Sequence, residues 1–262
     1  MAKGITDTSN YSDIADAIRG KNGSQDTYKP SEMPAAITAI PSGGGGVGIP
    51  REIDSQGVFQ APSSSFSFTL PSNATSIGRS SFYYGLGGST GLTSVDCSSL
   101  LTAPNKNSFS YAFSGCTSLA SANFSSLQTI GETVFYYAFD GCTSLTTVNF
   151  NSLSSITATQ AFAYAFNGCT SLKTVSFPSL SSMPQTNVFY FAFKDCTSLT
   201  SLSFPALTVN SFGNQASQFT SMLKNVDGCT VHFPASIQSK IGSWNTVTSG
   251  FGGTNTTVLF DL

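Results

Sequence analysis

Hydrophobic and polar positions recur along this chain at a fixed interval. The phrases AFSGCTSLASANFSSL from Ala112, AFDGCTSLTTVNFNSL from Ala138, AFNGCTSLKTVSFPSL from Ala165 and AFKDCTSLTSLSFPAL from Ala192 are near copies of one another. Cys116, Cys142, Cys169 and Cys196 stand 26, 27 and 27 residues apart. Leu119, Leu145, Leu172 and Leu199 keep those steps, and so do Phe109, Phe135, Phe162 and Phe189. Degraded copies extend the register in both directions. FYYGLGGSTGLTSVDCSSL from Phe82 places Ser89 in the cysteine position, FSFTLPSNATSIG from Phe66 fits the later half of a unit, and VHFP from Val231 matches LSFP from Leu202. A motif repeated at fixed spacing is architecture before it is chemistry, and diverged end units are the expected caps of such an array.

Each unit carries two signals. In LTTVNF, Val148 and Phe150 fall on one face and Thr147, Asn149 and Asn151 on the other, which predicts a short strand with one buried face. VFYYAFDGC is a compact aromatic run closed by glycine and predicts one helical or 3₁₀ turn. Ser-, Pro- and Gly-containing connectors separate the two. One unit cannot bury its apolar face alone, so the units must stack, with parallel strands about 4.8 Å apart. The expected fold is a β-rich leucine-rich-repeat solenoid of short parallel strands and short helical turns, covering residues 60–235, with a C-terminal cap at 236–262.

Residues 1–42 differ in kind. SNYSDIADAIRG offers Ser9 or Ser12 as an N-cap, Ile14 and Ile18 four apart, and Gly20 as a stop. KPSEMPAAITAIP offers Ser31 as a cap and Met33, Ile37 and Ile40 on one stripe, with Pro41 beyond. This predicts a small helical hairpin, too short to be stable alone, that docks through Ile14, Ile18, Met33 and Ile37. Residues 43–59, with the run Gly43–Gly46, read as a tether and lead-in.

Composition narrows the function classes. Eleven basic residues are scattered and outnumbered by thirteen acidic ones, so a nucleic-acid surface is not expected. No apolar run is long enough for a transmembrane helix. The N-terminus lacks the basic start and hydrophobic run of a secretory signal, so the chain is expected to fold in a reducing cytoplasm. Six cysteines could form bridges or a metal cluster. Repeated positions, however, point their Cβ atoms in parallel, which opposes disulfide geometry, and there is no CxxC pair. Cys116, Cys142, Cys169 and Cys196, with the four leucines, are therefore expected to be a buried structural ladder.

Catalysis is not expected. The single histidine, His232, lies in the last strand-like segment with no nucleophile motif around it, and GxSxG, HExxH and GxxxxGK are absent. Asp96, Glu132, Asp140, Asp195 and Asp227 occupy turns or strand faces without an evident pair. No metal and no cofactor is predicted. The surface offers instead a nearly neutral ladder on the strands and a variable aromatic column. Tyr83, Ser110, Tyr136, Ala163 and Tyr190 form that column, beside a near-constant column of Tyr84, Tyr111, Tyr137, Tyr164 and Phe191. The constant column is expected in the core and the variable one outside. The candidate binding surface is Tyr83, Tyr136, Tyr190, Asn123, Asn149 and Lys173, of the Tyr/Ser/Asn character that binds by stacking and adaptable hydrogen bonds.

The repeated phrase AFxGCTSLTxVxFPSL resembles the BspA-type leucine-rich repeat, found in bacterial surface proteins and in many bacteriophage proteins. The resemblance implies a solenoid and leaves function open. The segment ITDTSNYSDIADAIRGKNGSQDTYKPSEMPAAITAI is similar to the N-terminal segment of phage tail and baseplate-associated proteins of Gram-positive hosts, and FGGTNTTVLFDL is similar to their endings. These resemblances imply a virion component that joins other virion proteins through the N-terminal module and binds a host-surface glycan, wall polymer or protein. A homo-oligomer is expected, although no heptad run sets its copy number. The alternatives are a capsid or tail decoration protein without a receptor, or a bacterial surface adhesin.

Overall fold

The computed structural model describes residues 52–53, 59–60, 65–183, 185–208, 210–211, 216–241 and 250–262. The predicted helical hairpin at 1–42, the Gly43–Gly46 tether and the anchoring residues Ile14, Ile18, Met33 and Ile37 lie outside the described residues. Strands β1 (Glu52–Ile53) and β2 (Phe59–Gln60) form a two-stranded sheet of their own.

From Phe66 the chain forms coils of about 27 residues, stacked so that each residue lies over its counterpart in the next coil. The main strands are β3 (Phe66–Thr69), β4 (Leu92–Asp96), β6 (Ser121–Asn123), β8 (Thr147–Asn149), β10 (Thr174–Ser176), β11 (Ser201–Ser203), β12 (Thr230–His232) and β13 (Thr257–Leu259). They pair in parallel as β3-β4-β6-β8 and β10-β11-β12-β13, with β8 beside β10. The register follows the repeat: Ser94 pairs with Ser121, Ser121 with Thr147, and Thr174 with Ser201. Ser201 then pairs with Thr230, a step two residues longer than 27, which accommodates the altered turn before VHFP. Pairing of β12 with β13 carries the sheet through Leu259, within the segment expected as the C-terminal cap.

A second parallel sheet of two-residue strands lies in what the sequence suggested were connectors: β5 (Thr102–Ala103), β7 (Thr129–Ile130) and β9 (Ser155–Ile156). Bridges from Ser76 to Thr102 and from Ser155 to Ser182 extend it at either end. These strands are short because only one residue of each, Ala103, Ile130 or Ile156, points into the core. Gly131 follows β7 where the backbones come closest. A Cβ there would sit 2.1 Å from the carbonyl oxygen of Pro104, so no other residue fits without backbone movement.

The aromatic run is not a helical turn, contrary to the sequence expectation. Left-handed φ values recur every fourth residue, at Asn107, Tyr111 and Gly115 in one coil and at Thr133, Tyr137 and Gly141 in the next. A left-handed residue at that interval excludes an α-helix. Alternate N–H groups leave the coil altogether: those of Phe109, Tyr111, Phe113 and Gly115 donate to the carbonyls of Val134, Tyr136, Ala138 and Asp140. The N–H groups between them turn back three residues, as from Ala112 to Phe109. A residue such as tyrosine in this conformation costs of order 1–2 kcal/mol, and the inter-coil hydrogen bonds hold it there. The apolar residues recur every four positions, close enough to 3.6 to imitate a helix in the sequence.

The core is a set of stacked columns. Phe109, Phe135, Phe162 and Phe189 are fully buried, their ring centroids 5.3, 5.1 and 5.3 Å apart and nearly coplanar in orientation. Phe124, Phe150, Phe177 and Phe204 form a second column that meets the first edge to face. Cys116, Cys142, Cys169 and Cys196 with Leu119, Leu145, Leu172 and Leu199 are buried beside them. All six cysteines are free. The thiols of Cys116, Cys142, Cys169 and Cys196 donate to the carbonyls of Leu86, Phe113, Phe139 and Phe166 at 3.0–3.2 Å, one coil back. Burial raises every one of these thiol pKa values, to about 12 for Cys116 and Cys196, so no nucleophilic thiolate is available.

Candidate ligand-binding surface

The turn ladder brings an aromatic stack to the surface. Phe109 and Phe113 point inward, and the left-handed residue between them, Tyr111, is half-exposed. The same alternation in successive coils aligns Tyr84, Tyr111, Tyr137, Tyr164 and Phe191. Their ring centroids are 4.4, 5.1, 4.5 and 5.1 Å apart, with interplanar angles of 3–8°. The expectation that this constant column lies in the core is therefore corrected. Its residues are constant because each ring must stack on the next, and Tyr84 at the open end is 54% exposed.

The variable column divides by size. Tyr83, Tyr136 and Tyr190 stand edge-on to their neighbours in the stack, at 4.8 Å from Tyr84, 4.8 Å from Tyr137 and 4.5 Å from Phe191. Tyr83 is exposed, while Tyr136 and Tyr190 are half-buried. Ser110 and Ala163, in the coils between, are buried rather than exposed. The hydroxyl of Ser110 donates to the carbonyl of Thr133 at 2.6 Å. The phenols influence one another along the whole row: Tyr84, Tyr136 and Tyr137 act on Tyr111, and Tyr136, Tyr137 and Tyr190 on Tyr164. Partial burial, followed by the neighbouring phenols, raises the pKa values of Tyr84, Tyr111, Tyr137 and Tyr164, that of Tyr137 to about 12. The hydroxyls are thus protonated at neutral pH and can donate as well as accept.

Charge along this ladder nearly cancels. Lys106 pairs with Glu132 at 2.6 Å, and Lys194 pairs with Asp195. The turn segments also carry Arg79, Lys224 and Asp140. Asp140 accepts from Asn167 at 2.7 Å and Asp195 from Asn225 at 2.7 Å. Asp96 accepts from the backbone of Ser98 and from Asn123, and Asp227 from Thr254 and Asn255. These carboxylates serve as stitching between coils. Hydrogen bonds from Lys194 and Asn225 lower the pKa of Asp195, and those from Thr254 and Asn255 lower that of Asp227.

The structure does not bring all the candidate residues together. Tyr83, Tyr136 and Tyr190 share the aromatic ladder. Asn123 and Asn149 lie on β6 and β8, and exposed Lys173 immediately precedes β10. Asn123 is committed to Asp96, whereas the buried Oδ1 of Asn149 has no hydrogen-bond partner. His232, on β12, faces both carboxylate oxygens of Asp261 at 3.0 Å and ties the final strands together. Among the described residues no group of three or more His, Cys, Asp or Glu side chains is placed to hold a metal ion, and no helix is long and apolar enough to cross a membrane.

The model of the BspA-type leucine-rich repeat region matches residues 51–163 and 136–241, in six copies. The chain belongs to the BspA-type leucine-rich repeat family. Comparison with curated proteins gives no match. Among solved structures, the BspA-type chain is similar to a leucine-rich repeat protein from Bacteroides ovatus at 21% identity, over 74% of this chain and 54% of that one, with a TM-score of 0.32. It is also similar to a leucine-rich cell surface protein from Faecalibacterium prausnitzii at 14% identity, over 72% of this chain and 78% of that one, with a TM-score of 0.25. The chain thus spans about half the length of the first of these.

Proposed function

We propose that this BspA-type protein is a non-enzymatic attachment protein that binds a host-surface glycan or wall polymer through its aromatic ladder. The supporting observation is the continuous row of half-exposed tyrosines with protonated hydroxyls along a nearly neutral side of the coil. Such a surface offers packing area at low entropic cost together with adaptable hydrogen bonds. The carboxylates described above are engaged in inter-coil bonds, an arrangement suited to holding coils together rather than to transferring protons.

The proposed setting is a phage virion, in homo-oligomeric form, with residues 1–42 joining other virion proteins. The support is the sequence likeness of residues 5–40 to tail and baseplate-associated proteins. Two measurements test the two halves of this proposal. The labelled full-length protein should bind intact Gram-positive cells saturably and in a strain-restricted manner. Folded protein that binds no strain overturns the receptor reading. Mass spectrometry of purified particles should detect the chain, and particles from a gene lacking codons 1–42 should not contain it. Truncated chain retained in particles overturns the anchoring role.

A further inference from the structure

The ladder has a period of two coils. Large side chains occupy the variable column at Tyr83, Tyr136 and Tyr190, and the intervening Ser110 and Ala163 are buried. Tyr111 lies between the first two rings, 6.2 Å from Tyr83 and 5.6 Å from Tyr136. Tyr164 lies between the next two, 6.5 Å from Tyr136 and 5.6 Å from Tyr190. Two coils advance about 10 Å, twice the spacing of neighbouring strands. That distance is the length of an extended two-sugar unit in a β-1,4-linked chain, in which alternate sugars are turned over.

We infer that the aromatic ladder is a track for an uncharged linear polysaccharide with a two-sugar repeat, lying along the stacking axis with one repeat per pair of coils. The inference rests on the receptor-binding reading above and names the ligand class. Two kinds of complementarity carry it. The upright rings of Tyr83, Tyr136 and Tyr190 recur where every second sugar would present the same face, and the phenol hydroxyls between them can donate to or accept from sugar hydroxyls. The charges flanking the ladder are mostly paired with one another, so the surface has no row of cations to attract a polyanion and no row of anions to attract a polycation.

Titration calorimetry of the full-length protein with β-1,4-linked N-acetylglucosamine and glucose oligomers of two to six sugars tests this directly. Affinity should rise in steps of two sugars, and Tyr136→Ala should weaken the longest oligomer by about tenfold or more, the scale of a central aromatic anchor. Tyr136→Phe should retain the step with a smaller loss. Circular dichroism of each variant checks that the solenoid is folded. If intact cells are bound but no oligomer is, or if affinity rises evenly with each sugar, the two-sugar track is overturned and the receptor reading stands. If folded protein binds neither cells nor oligomers, both are overturned.

Discussion

Two aromatic columns run through this molecule with nearly the same geometry and different surroundings. The inner one, Phe109 to Phe189, stacks at 5.1–5.3 Å and is sealed from water. The outer one, Tyr84 to Phe191, stacks at 4.4–5.1 Å and is half-exposed. Stacking of identical coils explains the geometry of both, because any side chain repeated at the same place must meet its own copy. Burial separates their roles. The inner rings remove apolar area from water and hold the fold together. The outer rings contribute less to stability and leave hydroxyls and ring edges available.

The comparison breaks most readily from the inside. Phe162→Ala opens a cavity between three coils and should cost about 3–5 kcal/mol, read as a fall in the denaturant midpoint. Gly131→Ala drives a methyl group into Pro104 where the backbones meet, and a loss of roughly 1–3 kcal/mol should follow. Tyr137→Ala in the outer stack should cost about 1 kcal/mol, and Tyr137→Phe, which keeps the ring, should change stability by less than about 0.5 kcal/mol. An outer-stack alanine as damaging as Phe162→Ala would erase the distinction between the columns.

The smallest effect at neutral pH is electrostatic, and it has a definite sign. The buried thiols and the stacked phenols have folded pKa values raised above their unfolded ones. Their contribution is complete below the unfolded values, about 8.5 for Cys and 10 for Tyr, and is lost as pH rises toward about 12. Asp195 and Asp227 act in the opposite direction. Their contribution is present above about 4 and is lost as pH falls below it. A thermal midpoint that falls on both sides of a neutral plateau is the expected profile, with ultraviolet absorbance reporting thiolate only as the protein unfolds. Thiolate signal from folded protein near pH 9 would contradict the sealed cysteine ladder.

Much of the solenoid was legible because its register is written three times over, in Cys116, Leu119 and Phe109 and their copies. The strands β6, β8 and β10 follow from simple alternation. The second sheet was harder to read, since each of its strands buries one residue, yet Ala103, Ile130, Ile156 and Met183 recur at steps of 27, 26 and 27 and were available as a signal. The aromatic turn was misread because a four-residue period resembles a helical one. The surface column was misread for a related reason. Constancy in a repeat reports stacking on a neighbour as readily as burial, and Tyr111 carries a hydroxyl that the core has no partner to satisfy. Sequence could propose Tyr83, Tyr136 and Tyr190 one by one, but the burial of Ser110 and Ala163 between them needed coordinates.

The central claim is that the outer ladder binds while the inner column holds the fold. Its most direct test is the Tyr136→Ala, Tyr190→Ala double variant of the full chain, with thermal midpoint and saturable cell binding measured on the same preparation. The account predicts that cell binding is lost while the midpoint falls by only a few degrees, on the order of 1–2 kcal/mol. Undiminished binding, or a collapse of the fold comparable to that of Phe162→Ala, would contradict it.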